Sequence, residues 1–310
     1  MSNTDNKNLN KLYNIDNKNL NKIDFLFKQS VVDILQNGFL DKNPRPKYQD
    51  GTPAYTYSVN QVMRKYDLSK GEFPITTLRP IAWKSAIKEL CWIYVDQTNS
   101  LDVLKEKYGI TWWDSWDIGN GTIGFRYGDT VNYYNLIDNL IDGLKKDPFG
   151  RRHIMSLWDE SSFNKETKGL KPCAFLTMWN VRPNNDGELL LDMTLIQRSG
   201  DFMCASGVGG VNEVQYAALQ LMISQVCGYK PGIFVHFIQN EQIYNRHIEQ
   251  ANELLERESV YTQENNLPFL KINKDIKDFY DFTIDDFEMI NYDTKKIQEQ
   301  NPQLKFELGI

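Results

Sequence analysis

Residues 171–201 read KPCAFLTMWNVRPNNDGELLLDMTLIQRSGD, and this stretch decides the fold. Two runs rich in apolar, β-favouring residues, 174–181 and 188–197, flank the turn sequence PNNDG at 183–187. This pattern predicts a β-hairpin. If the turn centres between residues 185 and 186, Cys173 lies opposite Arg198. A guanidinium beside a thiol stabilises the thiolate and can lower the cysteine pKa, although a cysteine taken alone is more often a small core residue than a nucleophile.

Helices and further strands surround the hairpin in the sequence. In residues 83–94, apolar side chains recur at spacings of four, three and four, which predicts an amphipathic helix. Residues 213–226 predict a second, central helix, with Gly228 and Pro231 as stop signals. Residues 153–158 and 233–238 are strand-like. Because helices and strands mix without a regular βαβ alternation, the predicted class is α+β, a single domain with a mixed or antiparallel sheet packed by helices.

Composition limits the classes of function. The chain has 310 residues, 41% hydrophobic and 25% charged, and a net charge of −6, which argues against a dominant nucleic-acid-binding surface. Four widely spaced cysteines without a CxxC pair indicate reduced thiols rather than disulfides or a zinc site, so no metal is expected. No apolar run is long enough for a membrane span and the start lacks a signal-peptide core, so we expect a cytoplasmic protein.

The N-terminus carries a short duplication. The segment DNKNLNK at residues 5–11 recurs at 16–22. Two polar copies cannot form a core, so residues 1–22 are expected to be a mobile extension and residues 23–310 the catalytic domain.

Motifs along the chain carry a family resemblance. Leu170-Lys171-Pro172-Cys173 before a strand, followed by Gln197-Arg198-Ser199-Gly200-Asp201, resembles the nucleophile and phosphate-binding motifs of thymidylate synthases at the family's spacing. Further matches follow in collinear order from about residue 30 onward: DGTP (50–53), FPITT (73–77), KELCW (88–92), WDSW (113–116), GFRYG (124–128), Arg151-Arg152, Asn212, IYNRH (243–247) and DFYDF (278–282). A chance match to one short motif would not extend over the chain in this way.

The resemblance implies a reaction and an assembly. The family converts dUMP to dTMP with methylenetetrahydrofolate as carbon donor and reductant, which leaves dihydrofolate. Cys173 would add to C6 of uracil and make C5 nucleophilic. The family is a homodimer that joins through one face of the sheet, and Arg151 and Arg152 would reach the partner's substrate phosphate. No membrane or nucleic acid is required for catalysis.

The resemblance also assigns site residues. Those in chemistry would be Cys173, Glu89, Tyr127, Arg198 and Asn212. Those that bind dUMP would be Arg45, Arg151, Arg152, Arg198, Ser199, Asp201, Asn212, Gln242 and Tyr244. Those that contact the folate would be Trp113, Leu170, Asp201 and Ile310, the last through a C-terminus that closes over the ligands. Glu89 lies at the flank of its helix's apolar face, so periodicity alone predicts a solvated carboxylate.

Three departures from the family pattern stand out. Residues 202–211, FMCASGVGGV, are longer than the usual segment before the asparagine and rich in glycine, which indicates a rebuilt loop. Gln242 stands where the family usually has histidine. Arg79, Pro80 and Ala82 replace a basic stretch that helps hold the folate tail. In the altered N-terminal motif, Lys47 is an alternative to Arg45 as the phosphate ligand.

Other functions fit less well. A dUMP or dCMP hydroxymethylase of the same superfamily would capture the methylene with water, whereas Trp113 and Leu170 favour shielding from water. A thiol hydrolase would pair Cys173 with one of three histidines, but no cysteine–histidine signature is present. A non-catalytic nucleotide-binding protein would not need both the nucleophile and its arginine.

Overall fold

The computed structural model describes residues 19–263 and 266–310. Most of the expected extension over residues 1–22 lies outside these residues. The described part already belongs to the folded body, because Asn21 is buried and accepts a hydrogen bond from the Asp24 N–H as the cap of the first helix. The Asn21 side chain also donates to the Tyr261 carbonyl. The packed chain therefore begins ahead of residue 23.

Nine α-helices lie in the described part of the chain. They are α1 Lys22–Asn37, α2 Trp83–Tyr94, α3 Leu101–Tyr108, α4 Gly128–Tyr133, α5 Leu136–Lys146, α6 Glu160–Lys165, α7 Val211–Cys227, α8 Ile248–Glu256 and α9 Thr294–Gln300. The predicted helix over residues 83–94 is confirmed at both ends. The second predicted helix is α7, and Gly228 ends it in the left-handed conformation.

Nine β-strands accompany these helices within residues 19–263 and 266–310. They are β1 Phe39–Leu40, β2 Thr56–Asp67, β3 Ile154–Ser156, β4 Ala174–Pro183, β5 Leu189–Gln197, β6 Gly200–Asp201, β7 Lys230–Tyr244, β8 Phe269–Ile272 and β9 Phe287–Ile290. The predicted strand over residues 233–238 is only the middle of β7. Pro231, expected to follow a helix stop, lies near the start of β7, where a missing N–H is tolerated.

The main sheet has seven strands in the order β1-β2-β7-β5-β4-β3, with β6 paired to β7. The β2–β7 and β4–β5 pairs are antiparallel, whereas β5–β7 and β6–β7 are parallel. Strands β8 and β9 form a separate small sheet. The mixed sheet packed by helices confirms the predicted α+β class.

The predicted hairpin is confirmed with a half-residue difference in its centre. Pairs such as Pro183 with Leu189 and Leu176 with Ile196 centre the turn on Asp186. A β-bulge at Phe175 then shifts the register, so that Ala174 pairs with Gln197. Cys173 consequently meets Arg198, whose backbone N–H donates to the Cys173 carbonyl at 2.9 Å. The bulge restores the predicted partner and re-aims the end of the strand, as bulges beside active sites commonly do.

Helix α7 forms the centre of the core. It packs against α2 on one side and against β5 and β7 on the other, and its side chains are buried from Glu213 to Ser224 with one half-buried exception. Trp92 of α2 and Trp179 of β4 are buried almost completely. Deleting either ring would leave a large cavity and cost about 3–5 kcal/mol.

The opposite face of the sheet carries half-exposed or exposed side chains that are apolar apart from Thr194. Register places them side by side in two rows across the strands. The rows are Ile154, Met178, Thr194 and Val235, and Leu176, Ile196, Phe237 and Met63. We call this surface the open sheet face. No helix among the described residues is both long and apolar enough to cross a membrane.

Candidate active site

Cys173 lies at the entry to β4, half-buried, with Arg198 beside it. The Arg198 Nη2 atom is 3.4 Å from the Cys173 Sγ. Two backbone carbonyls hold the guanidinium in place, since Arg198 Nε donates to Pro172 at 2.9 Å and Nη2 donates to Lys171 at 2.7 Å. The predicted contact between thiol and guanidinium is confirmed.

Arg198 acts on the thiol pKa in the predicted direction, but the pKa of Cys173 is raised overall. Burial raises the pKa of Cys173 above its ordinary value, and the charges of Arg198 and Arg45 oppose this rise without cancelling it. The contribution of Arg45 was not predicted. The sequence pattern identified the cation but gave no measure of how far the thiol is removed from water.

Glu89 projects from α2 into the same site and is buried, not solvated as periodicity alone predicted. The Trp112 indole N–H donates to its carboxylate. Burial raises the pKa of Glu89 to about 7, against the opposing effect of hydrogen bonds from Gln215 and Trp112. A carboxyl with a pKa near neutrality can both accept and donate a proton, as general acid–base chemistry requires.

Tyr127 and Trp113 form the wall next to the thiol. The Tyr127 hydroxyl accepts a hydrogen bond from the Cys173 N–H at 3.1 Å. Its backbone has a φ of 47°, an unusual value for a residue with a side chain. The Trp113 ring packs edge-on against Tyr127 at 5.3 Å, and its buried indole N–H acts on the Glu89 carboxyl, where it opposes the rise of the Glu89 pKa.

Asn212 enters the site from the first turn of α7. Its Oδ1 accepts from Gln197 Nε2 at 3.3 Å, and its Nδ2 donates to Gln215 Oε1 at 3.2 Å. The asparagine is therefore held between two glutamine side chains. Its amide carries both a donor and an acceptor, which suits the edge of a pyrimidine base.

These side chains line one cavity. Its lining comprises Glu89, Leu90, Ile93, Tyr94, Trp113, Tyr127, Cys173, Ala174, Asn212, Gln215 and Tyr216. Five predicted site residues thus meet around one space, with Arg198 next to the thiol. The arrangement places a nucleophile, a titratable carboxyl and a base-recognising amide within reach of one small molecule.

A second group of predicted site residues lies at β6 and at the end of β7. Gln242 Nε2 lies 3.4 Å from the Ser199 hydroxyl, and Gln242 Oε1 is buried without a partner in the described chain. Asp201 pairs with Gln242 across these strands. Tyr244 is buried, and its pKa is raised well above the ordinary value by burial and by the charge of Asp201. Unpartnered polar atoms here are available to a ligand.

Asp201 also has cysteine and histidine neighbours. Asp201, Cys204 and His247 each offer a ligand atom, and these atoms lie within 4.8 Å of one another. The Asp201 carboxylate accepts the backbone N–H groups of Met203 and Cys204. His247 Nε2 lies 2.8 Å from the Glu307 carbonyl, whereas its Nδ1 is buried without a partner within the described residues. The trio lies in the region expected to hold the folate.

The altered loop before Asn212 folds as a π-helical turn, Phe202–Ser206, followed by a tight connection into α7. Gly209 has a φ of 64°, and a Cβ at this position would lie 2.3 Å from the Thr76 nitrogen, so only glycine fits. Arg79 is buried, donates to the Met203 carbonyl and stacks over Phe306. Arg79, which stands where the family has a basic stretch, thus supports the altered loop and the C-terminal tail.

The C-terminus is docked beside the N-terminal motif. Lys47 and Ile310 exchange two backbone hydrogen bonds, at 2.8 and 2.9 Å. Arg246 donates to Glu307 at 2.8 Å and to Asp50 at 2.7 Å, so it joins the tail to the loop that follows Lys47. Leu170, the other apolar folate candidate, is half-buried against the core.

The remaining arginines are less closely gathered. Arg45 is exposed, and its positive charge acts to lower the pKa of Cys173. Arg151 and Arg152 are both exposed before β3, outside the cavity lining, and neither has a hydrogen bond or ion pair to another described residue. The single chain therefore does not bring them to the thiol.

Sequence reasoning missed several residues of the site. Gln197, Gln215 and Trp112 contact Asn212 or Glu89 directly, and Arg246 holds the tail. Gln197 stands inside a quoted family motif without an assigned role, and Trp112 directly precedes Trp113, so each had an available signal. Gln215 follows Asn212 by one helical turn, where a side chain lies on the same face.

Comparison with known proteins gives a consistent result. The family model described as "Thymidylate synthase" matches residues 26–303. Thymidylate synthase of Lactococcus lactis subsp. lactis (strain IL1403) is 50% identical over 288 residues, which cover 93% of this chain and 99% of that protein. Thymidylate synthase of Streptococcus pneumoniae (strain 70585) is 49% identical over 289 residues, with the same coverage. The solved structure of thermostable thymidylate synthase A from Bacillus subtilis superposes with a TM-score of 0.80 at 35% identity, covering 93% of this chain and 99% of that one. The chain therefore belongs to the thymidylate synthase family.

Proposed function

We propose that the chain methylates dUMP to dTMP through a covalent adduct on Cys173, in a catalytic domain that comprises residues 23–310 together with Lys22 and the helix cap Asn21. The observation that carries the proposal is the shared cavity, in which the Cys173 thiol, the Glu89 carboxyl and the Asn212 amide meet. The family membership and the names of its relatives agree with this activity.

Cys173 supplies the nucleophile. Its thiolate forms a bond to C6 of the uracil ring, and the electron pair of the C5–C6 double bond moves into an enolate, which makes C5 nucleophilic. Arg198 stabilises the thiolate at 3.4 Å. A guanidinium also offers forked donors to phosphate oxygens, so Arg198, with Ser199 and Arg45 nearby in the fold, is proposed to hold the dUMP phosphate.

Asn212 and Glu89 act on the base. The Asn212 amide donates to O4 of uracil and accepts from N3–H. Glu89, with its pKa raised to about 7 by burial, exchanges protons around the ring and assists removal of the C5 proton together with Tyr127. Tyr244 and Gln242 are proposed to bind the deoxyribose hydroxyl, which would satisfy the unpartnered Gln242 Oε1.

The family uses methylenetetrahydrofolate, and the residues present fit this co-substrate. The unpartnered Nδ1 of His247, which lies beside Asp201, is a buried polar atom that a pterin-bearing ligand would satisfy. When bound, the folate supplies the one-carbon unit and the hydride that completes the methyl group. Trp113, Leu170 and the tail ending at Ile310 would exclude water, and Asp201 would bind the pterin.

We also propose a homodimer that forms through the open sheet face. Its two rows are contiguous across the strands and apolar apart from Thr194, and a second copy would remove them from water. Arg151 and Arg152, which have no partner in the described chain, would then reach the phosphate of the other subunit. The four free cysteines suit a reducing compartment, which supports a cytoplasmic location.

A spectrophotometric assay tests the proposal. Purified protein with dUMP and methylenetetrahydrofolate should form dihydrofolate and dTMP. Cys173→Ser should lose turnover almost completely yet still bind dUMP, whereas Cys227→Ser, at the far end of α7, should behave like wild type. Product analysis by mass spectrometry separates methylation from hydroxymethylation. Substantial turnover by Cys173→Ser would exclude the covalent mechanism.

A further inference from the structure

A buried chain of polar side chains leads away from Asn212 into the core. Gln197 of β5 contacts Asn212 with its Nε2, and its Oε1 lies 3.0 Å from Nε2 of His236 on the adjacent parallel strand β7. His236 Nδ1 lies 3.0 Å from the Glu213 Oε1. Gln197, His236 and Glu213 are all buried, and His236 has no role in the proposed chemistry.

A backbone carbonyl determines which way the Gln197 amide faces. Gln197 Nε2 donates to the Ser199 carbonyl at 2.9 Å, and a carbonyl oxygen can only accept. The Gln197 oxygen must therefore face His236. Because that oxygen is also only an acceptor, the His236 Nε2 must carry a proton.

Glu213 fixes the other side of the imidazole. Its carboxylate accepts from the Tyr66 hydroxyl and the Gly209 N–H, each at 2.7 Å, and from Arg64 at 3.2 Å. Arg64 is in turn paired with Glu241. Burial acts to raise the pKa of Glu213, but the charge of Arg64 and the hydrogen bonds lower it overall, so the carboxylate is ionised and the shared proton resides on His236 Nδ1. Burial lowers the pKa of His236 and opposes this doubly protonated ring, whereas the acceptor oxygens that face both of its nitrogens favour it. Both ring nitrogens therefore have a partner, and these two contacts hold the ring in one orientation.

The opposite edge of Asn212 is fixed in the same manner. Gln215 Nε2 donates to the Ala86 carbonyl at 3.2 Å, which directs the Gln215 oxygen toward Asn212. Asn212 must then present its NH₂ toward Gln215 and its oxygen toward Gln197. A free asparagine could rotate its amide by half a turn and exchange its donor and acceptor.

This rotation matters for base selection. Uracil offers an acceptor at position 4 and a donor at N3, whereas cytosine offers the reverse. An asparagine with a rotating amide would accept both bases, and one with a fixed amide accepts one and leaves unpaired groups with the other.

We propose that His236 is a positioning residue for uracil selectivity, because its Nε2–H holds Gln197 and, through Gln197, the amide of Asn212. The inference deepens the proposed function and rests on it, since it takes dUMP to bind at Asn212. Arg64, Glu213 and Glu241 serve as the buried support that keeps the imidazole in place.

Nitrogen NMR of the protein without any substrate tests whether His236 Nε2 carries a proton. The chain has three histidines, so a His236→Gln sample assigns the His236 signals in a ¹⁵N-labelled wild-type spectrum. We expect the His236 Nε2 signal of a protonated nitrogen. An unprotonated Nε2 would overturn the inference whatever the enzyme does.

Calorimetric titration tests the consequence. The probes are dUMP, dCMP and 2-deoxyribose 5-phosphate, which lacks a base and reports an intact phosphate site. In His236→Phe, the preference for dUMP over dCMP should fall by about tenfold or more, with unchanged binding of the sugar phosphate. His236→Gln, which retains an N–H donor at similar reach, should keep the preference within about threefold of wild type.

The outcomes separate the two proposals. If wild type binds neither nucleotide, the proposed function fails. The NMR result still decides whether His236 Nε2 is protonated. If wild type prefers dUMP and His236→Phe prefers it equally, with normal sugar phosphate binding, the role of His236 is refuted. If His236→Phe binds no sugar phosphate, the test rests on His236→Gln. If that variant binds the sugar phosphate normally but no longer prefers dUMP over dCMP, the proposal is contradicted.

Discussion

The Sγ atom of Cys173 lies 3.4 Å from a guanidinium nitrogen of Arg198, across the end of a hairpin whose register a β-bulge has shifted. The guanidinium cannot easily turn away, because the carbonyls of Lys171 and Pro172 hold two of its nitrogens. A fixed cation therefore stands beside a thiol whose pKa burial has raised. The balance of these two effects sets the reactivity of the nucleophile.

Removing this cation should make Cys173 less reactive. Arg198→Ala leaves burial unopposed by the nearest charge, so the thiol pKa rises and less thiolate exists at a given pH. Each unit of increase lowers the thiolate fraction about tenfold. We expect alkylation of Cys173 by iodoacetamide at pH 7 to slow by about three- to tenfold, measured by mass spectrometry of the Cys173 peptide. Arg182→Ala, near the turn of the same hairpin, is the control, and equal rates in all three proteins would contradict the prediction.

Glu89 should make stability fall as pH rises. The folded-state pKa of Glu89 is raised from 4.5 to about 7 by burial, so between these values the folded chain binds more protons than the unfolded chain. Stability from the neutral carboxyl is present below pH 4.5 and lost as pH passes 7. Between pH 5 and 8, the free energy of unfolding of wild type should fall by about 2–3 kcal/mol more than that of Glu89→Gln.

Urea unfolding at a constant protein concentration measures this difference, since association alters apparent stability. Glu241, whose pKa burial also raises to about 7, is present in both proteins and cancels. Parallel pH profiles would show that folding does not raise the pKa of Glu89. Turnover by Glu89→Gln should drop by about a hundredfold or more if the carboxyl moves protons.

Local patterns in the sequence predicted the parts of the fold that depend on neighbours along the chain. The helix over residues 83–94 follows from its spacing, and the hairpin from its turn residues. Strand β2 and the full length of β7 were not predicted, because their pairing joins segments far apart in sequence. The same limit applies to the site. The family motifs identified Cys173, and the distances of the two residues from the hairpin turn predicted that Arg198 lies beside it. The burial of Glu89 depends on tertiary packing, which helical periodicity does not describe.

The docked tail should matter for the folate step more than for nucleotide binding. Deleting Ile310 removes both backbone hydrogen bonds to Lys47, and Arg246→Gln removes the ion pairs to Glu307 and Asp50. Either change should loosen closure over the folate. We expect the KM for methylenetetrahydrofolate to rise by about fivefold in Arg246→Gln and kcat to fall much further in the deletion, whereas the Kd for dUMP changes by less than about threefold.

Steady-state kinetics and calorimetry provide these values side by side. Lys271→Gln, which breaks an exposed ion pair with Glu288 in the small sheet, is the matched control. Equal losses of dUMP binding and turnover would indicate general destabilisation instead of impaired closure.

The proposed dimer predicts complementation between two inactive proteins. Each site would take Cys173 and Arg198 from one chain and Arg151 and Arg152 from the other. Cys173→Ser and the double variant Arg151→Ala/Arg152→Ala should each be nearly inactive. A mixed dimer of the two has one site with both defects and one site with none, so activity should reappear when they are unfolded and refolded together. With random exchange from equal stocks, roughly a quarter of wild-type activity per site is the ceiling.

A second mixture is the control for any effect of refolding two proteins together. Cys173 and Glu89 line the same cavity within one chain, so a mixed dimer of Cys173→Ser and Glu89→Gln carries one defect in each site. Refolding these two together should restore nothing, although it produces the same fraction of mixed dimers. Native mass spectrometry establishes that fraction in both mixtures. If mixed dimers form and the arginine pair restores no more activity than the Glu89 pair, Arg151 and Arg152 do not act across the interface, because an intact site assembled from two chains would have been active.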